Sequence, residues 1–311
     1  NMKIFLTGGR GMVGRNVRLL AARAGFTVDA PTQQELNLDH LHHVVDYLKA
    51  SAPDVVIHAA GRVGGIQANM AAPYDFCFEN LQMGLHIIEA SKRANISRLI
   101  NLGSSCMYPR AAKNPLKEED LLSGGLEPTN EGYAIAKLAV AKLTSYANQQ
   151  HGFNYKTLIP CNLYGYGDKF SPEHSHMIPA VIRKLHEAKL HGQTKVDIWG
   201  DGTARREFLF AQDLADFILL ALTRFDELPQ LMNVGLGHDY SIREYYDAVK
   251  EVVGYEGTFT YDLSKPKGMH QKLVDVSIQT ALGWQPKTDL ITGIQQTYDF
   301  FLDKDKERCY L

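Results

Sequence analysis

Tyr133 and Lys137 are the two residues whose types and spacing point most directly to proton-transfer chemistry. Residues four apart share one face of a helix, so the lysine ammonium would lie one turn from the phenol. A phenol has an ordinary pKa of about 10, and a neighbouring cation favours the phenolate and lowers that pKa. Such a pair can donate a proton to a carbonyl oxygen or accept one from a hydroxyl. The same spacing also occurs on solvated helix faces, so the chemical interpretation needs a third polar group and a cofactor.

Ser104 and Cys106 follow a strand predicted over residues 97–102 and can supply the third group. Ligands of an open parallel sheet bind beyond the carboxyl ends of its strands, so the Ser104 hydroxyl is a second donor for the same carbonyl oxygen. If the strand continues to Cys106, its thiol faces the same pocket, because residues two apart in a strand point the same way. A lone cysteine at a strand end is more often a small buried hydrophobe, and both interpretations stay open.

Gly8, Gly11 and Gly14 lie between an apolar strand (residues 2–7) and a helix predicted over residues 16–24. In this context the first glycine permits a tight turn, the second lets the backbone approach a pyrophosphate, and the third lets helix and strand pack closely. The helix N-terminus then offers backbone N–H groups and the positive end of its dipole to phosphates. The pattern predicts a dinucleotide site, and the alternative is a glycine-rich turn without a ligand.

The end of the second strand, predicted over residues 26–30, decides between NAD and NADP in such a fold. An acidic residue there binds the ribose 2′-hydroxyl, whereas an arginine binds a 2′-phosphate. Residues 31–34 (Pro-Thr-Gln-Gln) offer neither, and we expect Asp29 inside the strand rather than at its tip. Arg10, in the glycine turn, is the nearest available cation and favours NADP.

The alternation of apolar strands and amphipathic helices predicts an α/β fold, namely a doubly wound parallel Rossmann sheet with a smaller C-terminal α/β substrate-binding lobe. Residues 1–165 are expected to form the NADP(H)-binding Rossmann domain, with later segments near 207–235 returning to it. Residues 166–311 are expected to form mainly the substrate-binding lobe. Ala59 and Ala60 would let a flat dinucleotide lie against the backbone, and tight packing is the alternative.

The composition excludes several classes of function. Hydrophobic residues make up 45% of the chain and charged residues 22%, and the net charge of −2 comes without a basic stripe, so no nucleic-acid partner is expected. The four cysteines form no C-x-x-C pair, which predicts neither a disulfide framework nor a metal site. No apolar run reaches membrane-spanning length and no signal peptide precedes the first strand, so we expect a cytoplasmic protein without a membrane partner.

Several longer segments resemble the GDP-L-fucose synthase family of extended short-chain dehydrogenases/reductases. The main ones are residues 103–109 (Gly-Ser-Ser-Cys-Met-Tyr-Pro), 126–137 (Leu-Glu-Pro-Thr-Asn-Glu-Gly-Tyr-Ala-Ile-Ala-Lys) and 162–165 (Asn-Leu-Tyr-Gly). The match continues at residues 175–180, 199–203, 206–209 and 272–275. Because these segments match in register along essentially the whole chain, the resemblance is far more specific than either short motif alone.

The resemblance implies a bifunctional enzyme that epimerises C3 and C5 of GDP-4-keto-6-deoxy-D-mannose and then reduces C4 with NADPH to give GDP-L-fucose. The implied catalytic residues are Ser104, Cys106, Tyr133, Lys137 and His176, with the thiol removing a proton from one face of the sugar and the imidazole returning one to the other. The implied cofactor-binding residues are Gly8, Arg10, Gly11, Met12, Val13, Gly14, Asn37, Leu38, Ala59, Ala60, Lys137, Pro160, Asn162, Leu163 and His176. The implied substrate-binding residues are Ser105, Asn162, Lys184, Trp199, Arg206 and Lys272. The resemblance also implies a homodimer formed through the long helices after the fourth strand and around Tyr133.

Three positions depart from the family's pattern. The family's arginine after the second strand is missing from residues 31–34, Lys184 stands where an arginine usually contacts the substrate, and Phe210 replaces a more typical histidine. The nearest alternative is a reductase of a related GDP-4-keto sugar, such as a colitose or 6-deoxy-heptose precursor, with one centre epimerised or none. A nucleotide-sugar 4-epimerase or 4,6-dehydratase that regenerates its nicotinamide is a second alternative, and a non-catalytic dinucleotide sensor is a third.

Overall fold

The computed structural model of the chain describes residues 1–172, 174–265 and 268–308, with side chains described as far as residue 303. Its strands are β1 (Lys3–Thr7), β2 (Thr27–Asp29), β3 (Val55–His58), β4 (Arg98–Leu102), β5 (Asn154–Pro160), β6 (Asn162–Tyr164), β7 (Lys195–Trp199), β8 (Arg205–Arg206), β9 (Phe208–Phe210), β10 (Leu231–Val234), β11 (Tyr240–Ser241) and β12 (Thr258–Asp262). Its α-helices are α1 (Met12–Arg23), α2 (Leu41–Ser51), α3 (Ile66–Ala71), α4 (Pro73–Arg93), α5 (Glu131–His151), α6 (Met177–Leu190), α7 (Ala211–Thr223), α8 (Ile242–Val253), α9 (Ser277–Ala281) and α10 (Leu290–Arg308). Within these ranges no helix has the length and apolar character needed to cross a membrane.

Six parallel strands form the central sheet, in the order β10-β5-β4-β3-β1-β2. The chain moves from β1 outward to β2 and then returns to the other side of β1 for β3, so the strand order reverses between β1 and β3. Thr7 lies opposite His58 in register, which brings the carboxyl ends of these two strands side by side. The predicted doubly wound parallel fold is confirmed, and its switch point is where folds of this kind bind ligands.

Apolar side chains fill both faces of this sheet because helices cover both of them. Successive residues of a strand point to opposite faces, so Ile4 and Leu6 join one apolar cluster while Phe5 joins the other. The first cluster also holds Phe217 of α7, which packs beside α1. The second receives α2 and α4, and α4 packs along α5. Burial on both faces explains why β3 reads as a continuous apolar run up to its terminal histidine.

A third apolar cluster lies in the later part of the chain. It joins one face each of α6, α8 and α10, with Ile182, Tyr245 and Ile294 completely buried. The parallel pair β7–β12 packs against the same helices through Ile198. Although α7 and β10 come after α6 in the sequence, they pack with the central sheet.

The apolar run over residues 155–163 predicts one strand, but the structure has two. β5 pairs with β4 and β10 in the central sheet, whereas β6 pairs with β9 in a separate two-stranded sheet. Pro160 ends β5 because proline has no N–H group to continue the ladder. The Cys161 N–H still bonds to the Val234 carbonyl, and the chain then leaves the central sheet. The short helix α3 and the strand β12 were not predicted from the sequence.

Candidate active site

The glycine turn between β1 and α1 is built by contacts that leave no room for side chains. Gly8 has a φ of +70°, and a Cβ on it would lie 2.6 Å from backbone atoms of Ala59 and Ala60. A Cβ on Gly14 would lie 2.0 Å from the Gly8 carbonyl oxygen, so this glycine lets α1 approach the turn. Gly11 is the N-cap residue of α1 and brings no side chain to the helix terminus. The turn therefore leaves backbone N–H groups open to a phosphate, as a dinucleotide site requires.

A cavity of about 720 Å³ lies over this turn, at the switch point of the sheet. Seven of the predicted cofactor-binding residues line it, namely Gly8, Arg10, Gly11, Asn37, Leu38, Ala59 and Ala60. The remaining ones, Met12, Val13, Gly14, Lys137, Pro160, Asn162, Leu163 and His176, lie outside its lining. Lys137 is nevertheless adjacent, because its Nζ would lie 3.6 Å from a Cβ on the cavity-lining Gly61.

The end of β2 differs from the expectation for Asp29. This residue is the last one of β2 rather than an interior one. Its carboxylate accepts hydrogen bonds from the Tyr47 hydroxyl at 2.7 Å and from the Ser51 hydroxyl at 2.7 Å. These bonds hold Asp29 against α2, and it does not line the cavity.

Ser104 and Cys106 do not lie on an extended strand, so the condition under which strand geometry would align their side chains is not met. β4 ends at Leu102, and Ser105–Met107 form a turn of 3₁₀-helix. Ser104 caps this turn, because its hydroxyl oxygen accepts the N–H of Cys106 at 3.4 Å. Ser105 is buried in the turn, and Cys106 is only 7% exposed. The turn, rather than strand pleating, keeps the thiol close to the Ser104 hydroxyl.

Tyr133 and Lys137 lie one turn apart on α5, with the lysine Nζ 5.5 Å from the centre of the phenol ring. The expected lowering of the Tyr133 pKa by this lysine does not occur in the chain alone. Burial raises the pKa of Tyr133, and the negative potential of Cys106 adds to this rise. A hydrogen bond with Ser104 opposes the rise without cancelling it. Burial also lowers the pKa of Lys137, whose Nζ donates to the Leu102 carbonyl at 3.3 Å. The phenol is therefore protonated at neutral pH and suited to donating a proton.

His58 and Thr7 form a buried polar pair beneath Lys137. The Thr7 hydroxyl oxygen accepts N–H groups of Ala59 and Ala60 at 3.1 Å each, so its own proton is directed to His58 Nδ1 at 2.7 Å. The ring proton of His58 is then on Nε2. Burial, together with the smaller effect of the charge of Lys137, lowers the pKa of His58 to about 3. His58 is thus neutral at physiological pH.

Lys272 interacts electrostatically with Cys106, with His176 and with Arg206. Burial raises the pKa of the Cys106 thiol, and Lys272 opposes this rise most strongly among the charged residues. Desolvation lowers the pKa of His176, and the positive charges of Lys169 and Lys272 lower it further. Burial likewise lowers the pKa of Lys272, with Cys106 opposing and Arg206 adding to the decrease. One cation thus lies near the thiol, the imidazole and Arg206, although these residues are far apart in sequence.

The other predicted substrate-binding residues lie on the later part of the chain. Arg206 in β8 donates to the Met269 carbonyl at 2.6 Å, in the segment that leads to Lys272. Lys184 in α6 donates to the Asp197 carbonyl and lies 3.3 Å from the Tyr246 hydroxyl. Trp199 ends β7 with 63% of its surface exposed. Among the described residues, no contact joins Lys184 or Trp199 to the cluster around Cys106, and their roles stay predictions.

The profile of the NAD dependent epimerase/dehydratase family matches residues 4–235. The chain belongs to this family. The matched range includes the glycine turn, Ser104, Tyr133 and Lys137, whereas Lys272 follows it.

Relatives that match nearly the whole chain show which members of the NAD dependent epimerase/dehydratase family it resembles. The chain is 51% identical over 300 residues to GDP-L-fucose synthase of Azorhizobium caulinodans, with 96% of each chain covered. It is 50% identical over 304 residues to GDP-L-colitose synthase of Yersinia pseudotuberculosis, covering 97% of this chain and 99% of that relative. A solved structure of GDP-mannoheptose C4 reductase from Campylobacter jejuni with NADP bound is 34% identical, with a TM-score of 0.88 over 97% of this chain and 98% of that chain. The resemblance to the GDP-L-fucose synthase family is confirmed.

The sequence interpretation missed several residues that shape this epimerase-family site. Thr7 and His58 are the polar residues that end two apolar strands on either side of the switch point. A polar residue at the end of an apolar strand is the sequence feature that could have identified them. Asn80 is buried in α4 and binds both backbone groups of Arg62 at 3.0 Å, which fixes the turn after β3. Glu207 is buried and accepts the N–H groups of Gly237 at 2.8 Å and Val274 at 3.1 Å. These partners are distant in sequence, so no local pattern reveals them.

Proposed function

We propose that the chain is a bifunctional epimerase and reductase that converts GDP-4-keto-6-deoxy-D-mannose to GDP-L-fucose with NADPH. The observation that carries the proposal is the convergence of Ser104, Tyr133 and Lys137 with a buried thiol beside the glycine-turn cavity. An enzyme that only transferred a hydride would need no thiol and imidazole next to this group. Relatives named as GDP-L-fucose and GDP-L-colitose synthases, similar over nearly the whole chain, support the same activity.

NADP(H) is the cofactor that we propose for the cavity at the switch point. Gly8, Gly11 and Gly14 fit its pyrophosphate, because side chains at the first and third would collide with the backbone and the second keeps the helix terminus bare. Ala59 and Ala60 offer small side chains and backbone along the same cavity. When bound, the cofactor supplies reducing equivalents as a hydride to the substrate carbonyl.

Epimerisation uses the C4 ketone to acidify the neighbouring C–H bonds. Removal of a proton from C3 or C5 gives an enolate with its charge on the C4 oxygen, where hydrogen bonds from Ser104 and Tyr133 stabilise it. Each such donor contributes about 2.7–4 kcal/mol to a developing oxyanion. Cys106 removes the proton from one face as a thiolate, which Lys272 and Lys137 favour. His176, whose lowered pKa makes its imidazolium a ready acid, returns a proton to the other face.

The reduction step needs a proton at the C4 oxygen. Tyr133 holds its proton at neutral pH because burial raises its pKa, and it donates that proton as charge develops on the oxygen. Lys137 then lies 5.5 Å from the ring and stabilises the phenolate that remains.

The substrate is held mainly by the later part of the chain. Arg206 and Lys272 are cations of the same cluster and suit the GDP pyrophosphate. We assign Ser105, Asn162, Lys184 and Trp199 to the same role. In this division residues 1–165, together with 207–235, bind the cofactor, and the rest of 166–311 binds the GDP-sugar. Six residues of this range lie outside the described residues, namely Glu173, Pro266, Lys267, Cys309, Tyr310 and Leu311.

A cytoplasmic homodimer is the proposed working form. Large apolar side chains on one face of α4 (Tyr74, Phe78 and Leu85) and of the adjacent α5 (Ile135 and Tyr146) are between 40% and 74% exposed. Their spacings of four, seven and eleven residues place them on one stripe of each helix. A stripe of this kind on two neighbouring helices suits self-association about a two-fold axis.

A reductase of a related GDP-4-keto sugar is the second candidate, because the identity to the colitose synthase nearly equals that to the fucose synthase. Supplying the enzyme with GDP-4-keto-6-deoxy-D-mannose and limiting NADPH tests the proposal. We expect one NADPH oxidised for each GDP-L-fucose formed. NADPH oxidation that yields an unepimerised alcohol would favour the second candidate. Conversion of the GDP-sugar without net NADPH consumption would instead favour a 4-epimerase or dehydratase.

A further inference from the structure

Arg18 of α1 lies where the glycine turn meets the end of β2. A Cβ on Gly9 would lie 3.0 Å from the Ala30 Cβ and 3.6 Å from both Cδ and Nε of Arg18. Gly9, Ala30 and the arginine side chain therefore meet at one point, and Arg10 follows Gly9 directly. In this fold the residues just after the second strand face the ribose 2′ position of the dinucleotide. Two guanidinium groups thus flank the place where NAD and NADP differ.

These two arginines are available to a ligand. Arg10 and Arg18 both line the cavity, and in the described parts of the chain neither side chain forms a salt bridge or a hydrogen bond. Arg62 lines the same cavity but is paired with Glu79 at 2.7 Å, with Asp75 3.8 Å away. The other carboxylate in the lining is Asp39, on the side of the cavity formed by residues 36–39.

The carboxylate that would favour NAD is held elsewhere. Asp29 is the last residue of β2, where an acidic side chain can accept the ribose 2′-hydroxyl. Both of its oxygens instead accept hydroxyl groups, one from Tyr47 and one from Ser51, at 2.7 Å each. These two hydrogen bonds hold Asp29 against α2, outside the lining of the cavity.

We propose that Arg18, together with Arg10, binds the 2′-phosphate of NADPH and sets the preference for NADPH over NADH. Arg18 takes over from the arginine that is missing after β2. A guanidinium binds a phosphate through two parallel hydrogen bonds, and a 2′-hydroxyl offers no charge for it to neutralise. The inference rests on the proposed NADP(H) cofactor and does not depend on the sugar substrate.

Fluorescence titration of the whole protein with NADPH and NADH, and competition by 2′,5′-ADP and 5′-AMP, tests the inference. Arg18→Ala should weaken binding of NADPH and 2′,5′-ADP by about tenfold or more, as for a lost hydrogen bond to a charged group, with NADH and 5′-AMP unchanged. Arg23→Ala removes an exposed arginine from the last turn of the same helix, outside the cavity, and should bind all four ligands as the wild type does. Asp29→Asn should leave NADH binding unchanged.

An Arg18→Ala variant with the wild-type ratio of NADPH to NADH affinity would overturn the inference, as would a wild type that binds the two equally. Equal losses of NADPH and NADH binding would also overturn it, since they indicate a general defect of the cavity. A different result would contradict the proposed function alone. In that case the wild type would prefer NADPH to NADH but would oxidise no NADPH when given the GDP-4-keto sugar.

Discussion

At the scale of single residues, burial dominates the proton affinity of the catalytic phenol. Lys137 lies close enough to Tyr133 to stabilise a phenolate, but the loss of solvent around the phenol outweighs that attraction. A neutral phenol can hydrogen-bond to an enolate oxygen and later protonate an alkoxide. The same side chain can therefore serve both halves of the reaction without a change in its resting protonation state.

Removal of the Tyr133 hydroxyl tests this assignment. Tyr133→Phe keeps the ring but loses the proton donor, so the rate of NADPH oxidation should fall by about 10²–10⁴-fold. NADPH binding, followed by fluorescence, should persist because the phenol does not line the cofactor cavity. Tyr146→Phe, on the exposed face of the same helix, is the matched control. Near-normal turnover by Tyr133→Phe would show that another group protonates the oxygen.

At the scale of elements, the ends of β1 and β3 are joined through Thr7 and the buried, neutral His58. The folded-state pKa of about 3 lies below the ordinary value of 6.5, so the stabilisation is complete above pH 6.5 and is lost as the pH falls toward 3. Between pH 7 and pH 5 this loss amounts to about 2 kcal/mol.

The variant His58→Asn removes this titration and keeps an acceptor for the Thr7 hydroxyl. The free energy of unfolding is measured with urea at pH 7 and at pH 5 for both proteins. Relative to the wild type, the variant should be more stable at pH 5 than at pH 7 by about 2 kcal/mol. All other titrating groups are shared and cancel in the comparison. An equal difference at both pH values would mean that His58 is not held neutral.

The contrast between predictable and unpredictable elements has a physical basis. Apolar periodicity predicts a helix over residues 242–253, which is α8, and strands over residues 2–7 and 97–102, because each buries a continuous face. The turn at Ser105–Met107, the departure of β6 from the central sheet and the hydrogen bonds of Asp29 were not predicted. Each depends on partners distant in sequence, which local patterns do not report.

The residues of the site also fall into some that the sequence predicts and others that only the fold brings together. The glycine turn, Ser104, Tyr133 and Lys137 lie in short motifs and could be recognised from the sequence. The position of Lys272 near both Cys106 and His176 depends on a late segment of the chain, which pairs through Val274 with Leu116 in the loop after β4. Family resemblance suggested these residues, but only the fold explains why they can act together.

At the scale of the whole molecule, the apolar stripes on α4 and α5 predict self-association. Phe78→Asp would place a charge at the centre of the proposed interface and should convert the dimer to a monomer in sedimentation or light-scattering measurements. Leu190→Asp is the control, because Leu190 is an even more exposed apolar residue, at the end of α6. A wild type that is monomeric at micromolar concentration would rule out the homodimer, and an unaffected Phe78→Asp variant would place the interface elsewhere.

In the proposed reaction, one site epimerises the sugar before it reduces it. The most direct test is the reaction with GDP-4-keto-6-deoxy-D-mannose and NADPH in D₂O, with deuterium located in the product by NMR. Solvent deuterium should appear at both C3 and C5 of GDP-L-fucose, because each centre loses its proton to the enzyme and regains one from solvent-exchanged acid. A reduced product that carries no deuterium at C3 and C5 would contradict the account.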